Sequence, residues 1–383
     1  MSEERLSPLD AVHRAAGASF TDFAGWQMPV RYSSDLAEHH AVRTGAGLFD
    51  LSHMAEIRLE GPGSAAALDY ALAGKLSVIE IGQAKYSLLL ANNGGIIDDL
   101  VVYRLGEVEY LVVANASNRA VVAAELTVRA GGFNTKVTDE SDDIALIALQ
   151  GPDAREILLE TPGFAAVEGD FDEAVTTLKY YRAFKSTFNG LDVLVARTGY
   201  TGEDGFELYI EAGRAAELWE ALATTGGDRV IPCGLASRDT LRLEAGMPLY
   251  GHELSRETFP VQAGLGRVVA VSKPDPFVGR EAVERGPAAD APVLVGLRGE
   301  GRRAVRAEYQ VFASDDADAA PIGIVTSGAL SPTLGYPIAM AYVEPSVSHP
   351  GTELFVDLRG SRLPMSVVTL PFYSRQTHGT PAA

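Results

Sequence analysis

The chain has 383 residues, and 51 Asp and Glu against 32 Lys and Arg give it a net charge of −19. That balance, with no basic run, excludes a nucleic-acid role, which needs clustered cations, but still allows one anionic small ligand in a locally basic pocket. The single cysteine, Cys233, excludes a disulfide framework and any multi-cysteine zinc or iron–sulfur site.

At about 150 residues per domain, the length predicts two or three domains. The longest strictly apolar runs, 144–149 and 338–343, reach six residues, against the roughly 20 that a membrane-crossing helix needs, so no membrane role is expected. The first residues, Met1-Ser2-Glu3-Glu4-Arg5, hold no apolar export core; the expected compartment is the cytoplasm.

Along the chain, Ala55-Glu56-Ile57-Arg58-Leu59-Glu60-Gly61-Pro62 recurs as Ala145-Leu146-Ile147-Ala148-Leu149-Gln150-Gly151-Pro152. Each copy reads as a strand, a Gly-Pro turn and a helix (64–72, then 154–159), with proline suited to a first helical turn. Each copy then continues with a hairpin and a second helix. In the first copy these are strands 100–105 and 110–114, then a helix from about 118 capped by Ser117 or Asn118. In the second they are strands 191–197 and 206–210, then a helix over 213–222. The reading is a duplicated α+β unit, with copies near 55–140 and 145–225; a turn solution that arose twice is the alternative. Lys273-Pro274-Asp275-Pro276 breaks regular structure and marks a boundary, giving a duplicated region over 1–275. Short strands at 293–298, 308–312, 323–326, 338–343, 354–356 and 365–369 then predict a small all-β sandwich or barrel over 276–373. Residues 315–318 form an acidic hairpin tip, and 374–383 a polar tail.

Most candidate motifs carry bland readings. Gly299-Glu300-Gly301-Arg302-Arg303-Ala304 follows a strand but precedes alternating residues, so it reads as a turn and not a nucleotide loop. His39, His40 and His53 lack metal-ligand spacing, and no metal is expected. Cys233 reads as a small buried side chain. Asp98 and Asp99 open a strand, so only one of them can face a given site. Thr198-Gly199-Tyr200-Thr201-Gly202-Glu203-Asp204-Gly205 joins two strands and can cradle a small ligand or be a long hairpin. Glu207 shares a strand face with Tyr209, opposite Phe206, Leu208 and Ile210. A carboxylate there can hold a flat heterocycle through paired N–H donors. Arg238 and Arg242 lie one turn apart on a helix closed by Gly246. The bland reading is a salt-bridged surface helix, with Asp239 and Glu244 as partners.

Taken together, these motifs resemble the glycine cleavage aminomethyltransferase family, the T-proteins. The likeness runs from Asp22-Phe23-Ala24-Gly25-Trp26 through His39-His40-Ala41-Val42-Arg43, Gly94-Gly95-Ile96-Ile97-Asp98-Asp99 and Arg197-Thr198-Gly199-Tyr200-Thr201-Gly202-Glu203. It continues through Arg238-Asp239-Thr240-Leu241-Arg242 and Ser327-Gly328-Ala329-Leu330-Ser331-Pro332 to Pro371-Phe372-Tyr373. The resemblance implies a three-lobed α+β folate-binding fold, with two duplicated lobes and a C-terminal β-barrel. It implies transfer of the methylene carbon from the aminomethyl-dihydrolipoyl arm of the H-protein to tetrahydrofolate, the acceptor substrate, with no metal or nucleotide. It makes Asp98 the catalytic carboxylate and Met54, Tyr86, Asn115, Tyr200, Glu207, Arg238, Tyr373 and Arg375 the folate and substrate contacts. Arg267 stands where the family often has an aromatic residue, and is expected to meet the anionic folate tail instead. A related folate-dependent demethylase and a folate-binding accessory protein are the competing readings.

Overall fold

The computed structural model describes residues 4–375, so most of the expected polar tail lies outside the described residues. Among those residues, no helix is long and apolar enough to cross a membrane.

The strand–Gly-Pro–helix unit forms twice. Ala55–Glu60 leads into the helix Ser64–Ala71, and Ile144–Gln150 into Ala154–Glu160. The two hinge glycines share a conformation closed to ordinary side chains, with φ +138° at Gly61 and +135° at Gly151. A Cβ at Gly151 would stand 2.3 Å from the Gly45 carbonyl oxygen. Gly151→Ala is therefore expected to lower stability by about 2–4 kcal/mol in denaturant unfolding, from strain plus clash. Gly213→Ala, which meets only the end of the Glu211 side chain at 3.8 Å, should change it by no more than about 0.5 kcal/mol.

In the first copy, five antiparallel strands lie in the order Ala84–Leu90, Ile96–Arg104, Glu109–Ala114, Ala55–Glu60, Lys136–Asp139. The helices Ser64–Ala71 and Arg119–Ala130 cover one face, where Leu68, Val122 and Leu126 pack on Ile57, Leu100 and Val102. Asn118 holds the N-cap position of the second helix, but its side chain makes no capping bond. A 3-10 turn, Ala116–Asn118, precedes it, and the Asn118 amide is drawn instead to the Asp98 carboxylate.

The second copy builds a seven-stranded sheet in the order Phe164–Ala166, Ala183–Phe188, Leu191–Ala196, Gly205–Glu211, Ile144–Gln150, Ala46–Asp50, Val230–Pro232. Ala46–Asp50 precedes the first copy in sequence yet pairs with Ile144–Gln150 of the second. The helices Ala154–Glu160 and Ala215–Gly226 cover the outer face; the latter begins two residues later and ends four residues later than the expected 213–222. The uncovered faces of the two sheets meet in one apolar layer holding Tyr103, Leu111 and Val113 from the first and Phe49, Leu146 and Tyr209 from the second.

The C-terminal part is a closed antiparallel barrel in the order Val293–Gly299, Pro337–Val343, Pro321–Leu330, Gln310–Phe312, Glu353–Leu358, Ser361–Val368. All six sequence-expected strands are present. Gly299 ends a strand and leads into a turn, with no helix following. The Lys273–Phe277 region is irregular but firmly docked. Lys273 Nζ donates to the carbonyls of Asp69, Leu72 and Gly74 at 2.7, 2.7 and 3.0 Å. Phe277 is buried against Leu90 and Ile96 of the first sheet. The helix Leu235–Glu244 joins all three parts: Leu241 enters the layer between the sheets, and Leu243 packs on Ile338 and Met340 of the barrel.

Candidate functional site

A cavity of about 540 Å³ opens between the two sheets. Its walls are mostly apolar, with a few polar groups converging on it, as in most small-molecule sites. Strand alternation decides which side chains reach it. On Ile96–Arg104, Leu100 and Val102 face the covering helices, while Asp99, Val101 and Tyr103 line the cavity. On Gly205–Glu211, Phe206, Leu208 and Ile210 face the outer core, while Glu207 and Tyr209 line the cavity.

This alternation puts the two aspartates on opposite sides of the sheet. Asp98, expected to be the catalytic carboxylate, falls on the helix side with Leu100 and is fully buried. It accepts from the backbone N–H of Asn115 at 3.0 Å, from Asn115 Nδ2 at 2.8 Å and from Asn118 Nδ2 at 2.7 Å. Asp99 is the one that faces the cavity. It accepts from Tyr86 Oη at 3.0 Å and from Asn115 Nδ2 at 2.9 Å. One amide of Asn115 thus bridges both carboxylates. Burial pushes the Asp98 carboxyl up to about 7, with the charge of Asp99 adding to it, and burial pushes Asp99 up to about 6.

A second polar group faces the sheet from the other side. Glu207 is held by the Thr198 hydroxyl, which also bonds Tyr103 Oη at 2.9 Å; Tyr209 Oη lies 3.3 Å further on. Burial raises the Glu207 carboxyl, opposed by the Thr198 bond and the positive charge of Arg238. The loop before it is shaped by Arg197, which grips Asp204 at 2.8 and 2.6 Å, and by Gln150, whose Nε2 donates to the Thr198 carbonyl at 3.0 Å.

Arg238 lines the cavity with its guanidinium 4.9 Å from the centre of the Tyr200 ring. Its Nη1 is buried and has no hydrogen-bond partner among the described residues. Such an orphaned donor beside a buried carboxylate is costly unless a ligand completes it. Met54, Tyr86, Asn115 and Tyr200 also line the cavity.

Two expected contacts do not line it. Tyr373 donates to Glu203 Oε1 at 2.7 Å and lies under the Arg43 guanidinium at 4.1 Å. Arg375 pairs with Asp204 at 3.4 Å, and its guanidinium sits over the Tyr180 ring. Both are taken up by the outer side of the Thr198–Gly205 loop. Arg267 is exposed on the 3-10 turn Gly266–Val268, while its neighbour Leu265 reaches the cavity.

The helix holding Arg238 is not a surface helix. Arg242 is 1% exposed, pairing with Asp239 at 2.7 Å and Glu253 at 2.8 Å. Glu244 turns the other way. It receives His39 Nε2 at 3.1 Å, Arg43 Nη2 at 2.8 Å, the Thr333 N–H at 2.9 Å and the Ser331 hydroxyl. His39 and Arg43 therefore tie three parts of the fold together, a structural task. The sequence reading missed Tyr103, His53 and Phe23 as cavity residues, and had Thr198 only as part of the ligand-cradling loop. Tyr103 had a signal, since it shares the period-two face of Asp99; His53 and Phe23 sit in loops or short strands with none. Burial pushes His53 down to about 4, so its ring is neutral at pH 7.

Comparisons agree across the whole chain. The family model described as the GCVT N-terminal domain matches residues 9–273, and the glycine cleavage T-protein C-terminal barrel domain matches 293–374. The chain is similar to the aminomethyltransferase of Cutibacterium acnes, at 60% identity over 98% of this chain and 100% of the relative. It is also similar to that of Saccharopolyspora erythraea, at 54% identity over 98% and 100%. Among solved structures, the glycine cleavage system aminomethyltransferase T from Bartonella henselae superposes with a TM-score of 0.87 at 39% identity, covering 97% of this chain and 98% of that one.

Proposed function

Since the chain belongs to the glycine cleavage T-protein family and is an aminomethyltransferase, we propose that its cavity passes a methylene carbon from the dihydrolipoyl arm of the H-protein to tetrahydrofolate. The products are 5,10-methylenetetrahydrofolate, ammonia and the free dihydrolipoyl arm. We place the reaction in the cytoplasm on the same reading.

The observation that carries the reading is the polarity of the cavity. Glu207 offers a carboxylate to the ring N–H donors of a flat heterocycle, and Arg238 offers an unpaired guanidinium N–H to its acceptor side. Asp99, with Tyr86 and Asn115, supplies a fixed negative charge to the reacting carbon from the other sheet. In the transfer, the C–N bond to ammonia and the C–S bond to the arm break while two C–N bonds to the acceptor form. The two protons given up by the acceptor's nitrogens go to the leaving ammonia and the leaving thiolate. The carbon is cationic while these bonds exchange, and a buried carboxylate stabilises it most when water is excluded. Asn118 holds Asp98, Asp98 holds Asn115, and Asn115 holds Asp99.

Tetrahydrofolate-dependent ammonia release from aminomethyl-loaded H-protein tests the reading; measurable tetrahydrofolate binding without release would move it to a folate-dependent demethylase or an accessory protein. In the same assay Glu207→Gln is expected to raise the tetrahydrofolate KM by about 10–100-fold, by placing one amide donor against ring donors. A parallel fall in kcat with an unchanged KM would remove Glu207 from ligand recognition.

A further inference from the structure

Among the described residues three histidines are buried, and two of them are fully engaged. His13 Nε2 meets the Asp50 carboxylate at 2.7 Å, and its Nδ1 meets Tyr32 Oη at 2.8 Å. His39 bonds the hydroxyls of Thr240 and Thr333 at 2.7 and 2.8 Å. His53 is the exception. It is 3% exposed and lines the cavity, and its Nδ1 is buried with no hydrogen-bond partner among the described residues. Buried polar groups are nearly always bonded, so one that is not calls for a reason.

The chain places His53 where a ligand can reach it. Residues 51–54 link Ala46–Asp50 of the seven-stranded sheet to Ala55–Glu60 of the five-stranded one. This turn therefore crosses from one sheet to the other. The Leu51 N–H donates to the Leu146 carbonyl at 2.8 Å, and the Met54 N–H to the Leu51 carbonyl at 2.9 Å, which fixes its path. Phe23 meets the imidazole edge-on, with ring centres 5.3 Å apart, and lines the cavity with it. Asp50, the carboxylate nearest in sequence, is taken by His13, by the Ser7 hydroxyl and by the Ser52 N–H. Arg238 also lines the cavity with a buried, unpartnered Nη1. Two buried side chains with unmet nitrogens thus face one cavity.

The protonation state narrows what His53 offers. Burial disfavours the charged ring; the Asp50 charge opposes this and the Arg238 cation reinforces it, so the imidazole is neutral at pH 7. A neutral imidazole carries a single N–H. On Nδ1 that N–H would be an orphaned buried donor, which is costlier than an acceptor left empty. The proton therefore belongs on Nε2, and the ring becomes a donor that adds no charge beside Arg238.

We propose that His53 presents its Nε2–H to the cavity and, with Arg238, forms a two-donor clamp on the carbonyl oxygen of the ligand's pteridine ring. The inference rests on the tetrahydrofolate reading above and names a further residue that sets ligand specificity. A carbonyl oxygen has two lone pairs and can accept both donors. Glu207 accepts where the ring donates, and the clamp donates where the ring accepts. An amino group in place of that oxygen sets donors against donors, and a buried site rejects such an exchange strongly.

The test is equilibrium binding of two ligands to the full-length enzyme, with no carrier protein present. One is tetrahydrofolate; the other is its 2,4-diamino analogue, in which an amino group replaces the ring carbonyl. The wild type should prefer tetrahydrofolate by about 100-fold or more. His53→Phe keeps a flat ring against Phe23 but has no donor. It is expected to weaken tetrahydrofolate binding about 10–100-fold and to leave the analogue unchanged or tighter, so that the preference collapses. His53→Leu, smaller and equally without a donor, should give the same collapse and serves if the Phe variant does not fold. His53→Gln keeps a neutral N–H donor and should stay within about tenfold of wild type. Equal losses for both ligands in both donor-less variants would make His53 a packing residue and overturn the proposal. So would a tetrahydrofolate affinity that neither variant changes. A wild type that binds tetrahydrofolate yet does not tell it from the analogue overturns the clamp and leaves the folate reading standing. A wild type that binds neither overturns both.

Discussion

Asp99→Asn should abolish most of the transferase activity, lowering kcat by about 10²–10⁴ while leaving tetrahydrofolate affinity nearly intact. Its carboxylate is the one that the strand turns into the cavity, and an amide of the same size removes the charge but not the shape. Asp98→Asn, one residue away, should behave differently. Asp98 accepts three hydrogen bonds from Asn115 and Asn118, and an amide there sets a donor against donors. The expected outcome is a stability loss of about 1–3 kcal/mol with kcat within about tenfold of wild type. Single-turnover ammonia release beside denaturant unfolding separates the two; equal kcat losses would return the catalytic role to Asp98. The pH profile offers a second check. Asp99 acts as a carboxylate with its pKa raised to about 6, so activity should fall as pH drops through that region. Because Asp98, raised to about 7, shares Asn115 with it, the acid limb belongs to the pair rather than to either residue.

Glu244→Ala should be the most destabilising substitution outside the cavity, at about 3–5 kcal/mol, because it strands buried partners from three parts of the fold. The Arg43 guanidinium, His39, Ser331 and Thr333 all lose their common acceptor. Burial alone would raise this carboxyl; the bonds from His39, Ser331 and Arg43 outweigh it and hold it down to about 2. Since the folded value lies below the ordinary 4.5, the stability it contributes is fully present above pH 4.5 and is lost as pH falls toward 2. Urea unfolding between pH 2 and 7 measures this. The wild type should lose stability steeply below pH 4.5, and Glu244→Ala should show a flatter acid limb; parallel curves would dismiss the network.

What the sequence disclosed, and what it withheld, follows from the range of the interactions. The repeat was legible because a strand, a Gly-Pro turn and a helix are local, and the barrel because short strands between turn residues announce themselves. The placing of Glu207 and Tyr209 on one face followed from period-two alternation alone. The aspartates were harder. Both faces of the strand Ile96–Arg104 are apolar, since one meets helices and the other a second sheet, so alternation separates Asp98 from Asp99 without saying which side is the cavity. Of the two carboxylates expected to partner the helix arginines, Asp239 does pair with Arg242, while Glu244 does not, for a geometric reason. Residues two apart on a helix point about 200° from each other, so the two look into different neighbourhoods. Tyr373 and Arg375 were placed by resemblance, and nothing in their own spacing shows that Glu203 and Asp204 capture them first.

The strand Ala46–Asp50 has an implication for how the chain emerges from synthesis. It is made before the first copy, but its antiparallel partner, Ile144–Gln150, appears about a hundred residues later. Its other neighbour, Val230–Pro232, comes later still. The second half therefore cannot be completed from its own residues, since it takes a strand made before the first copy. The early strand waits with its backbone groups unpaired while the first sheet forms around it, a long-range closure of the kind that slows folding and exposes a sticky edge. Two similar units follow one another in the chain, but the placing of this one early strand in the second sheet makes them a single folding unit. Cutting the chain between the copies would yield one half with an orphaned strand and another with a missing one.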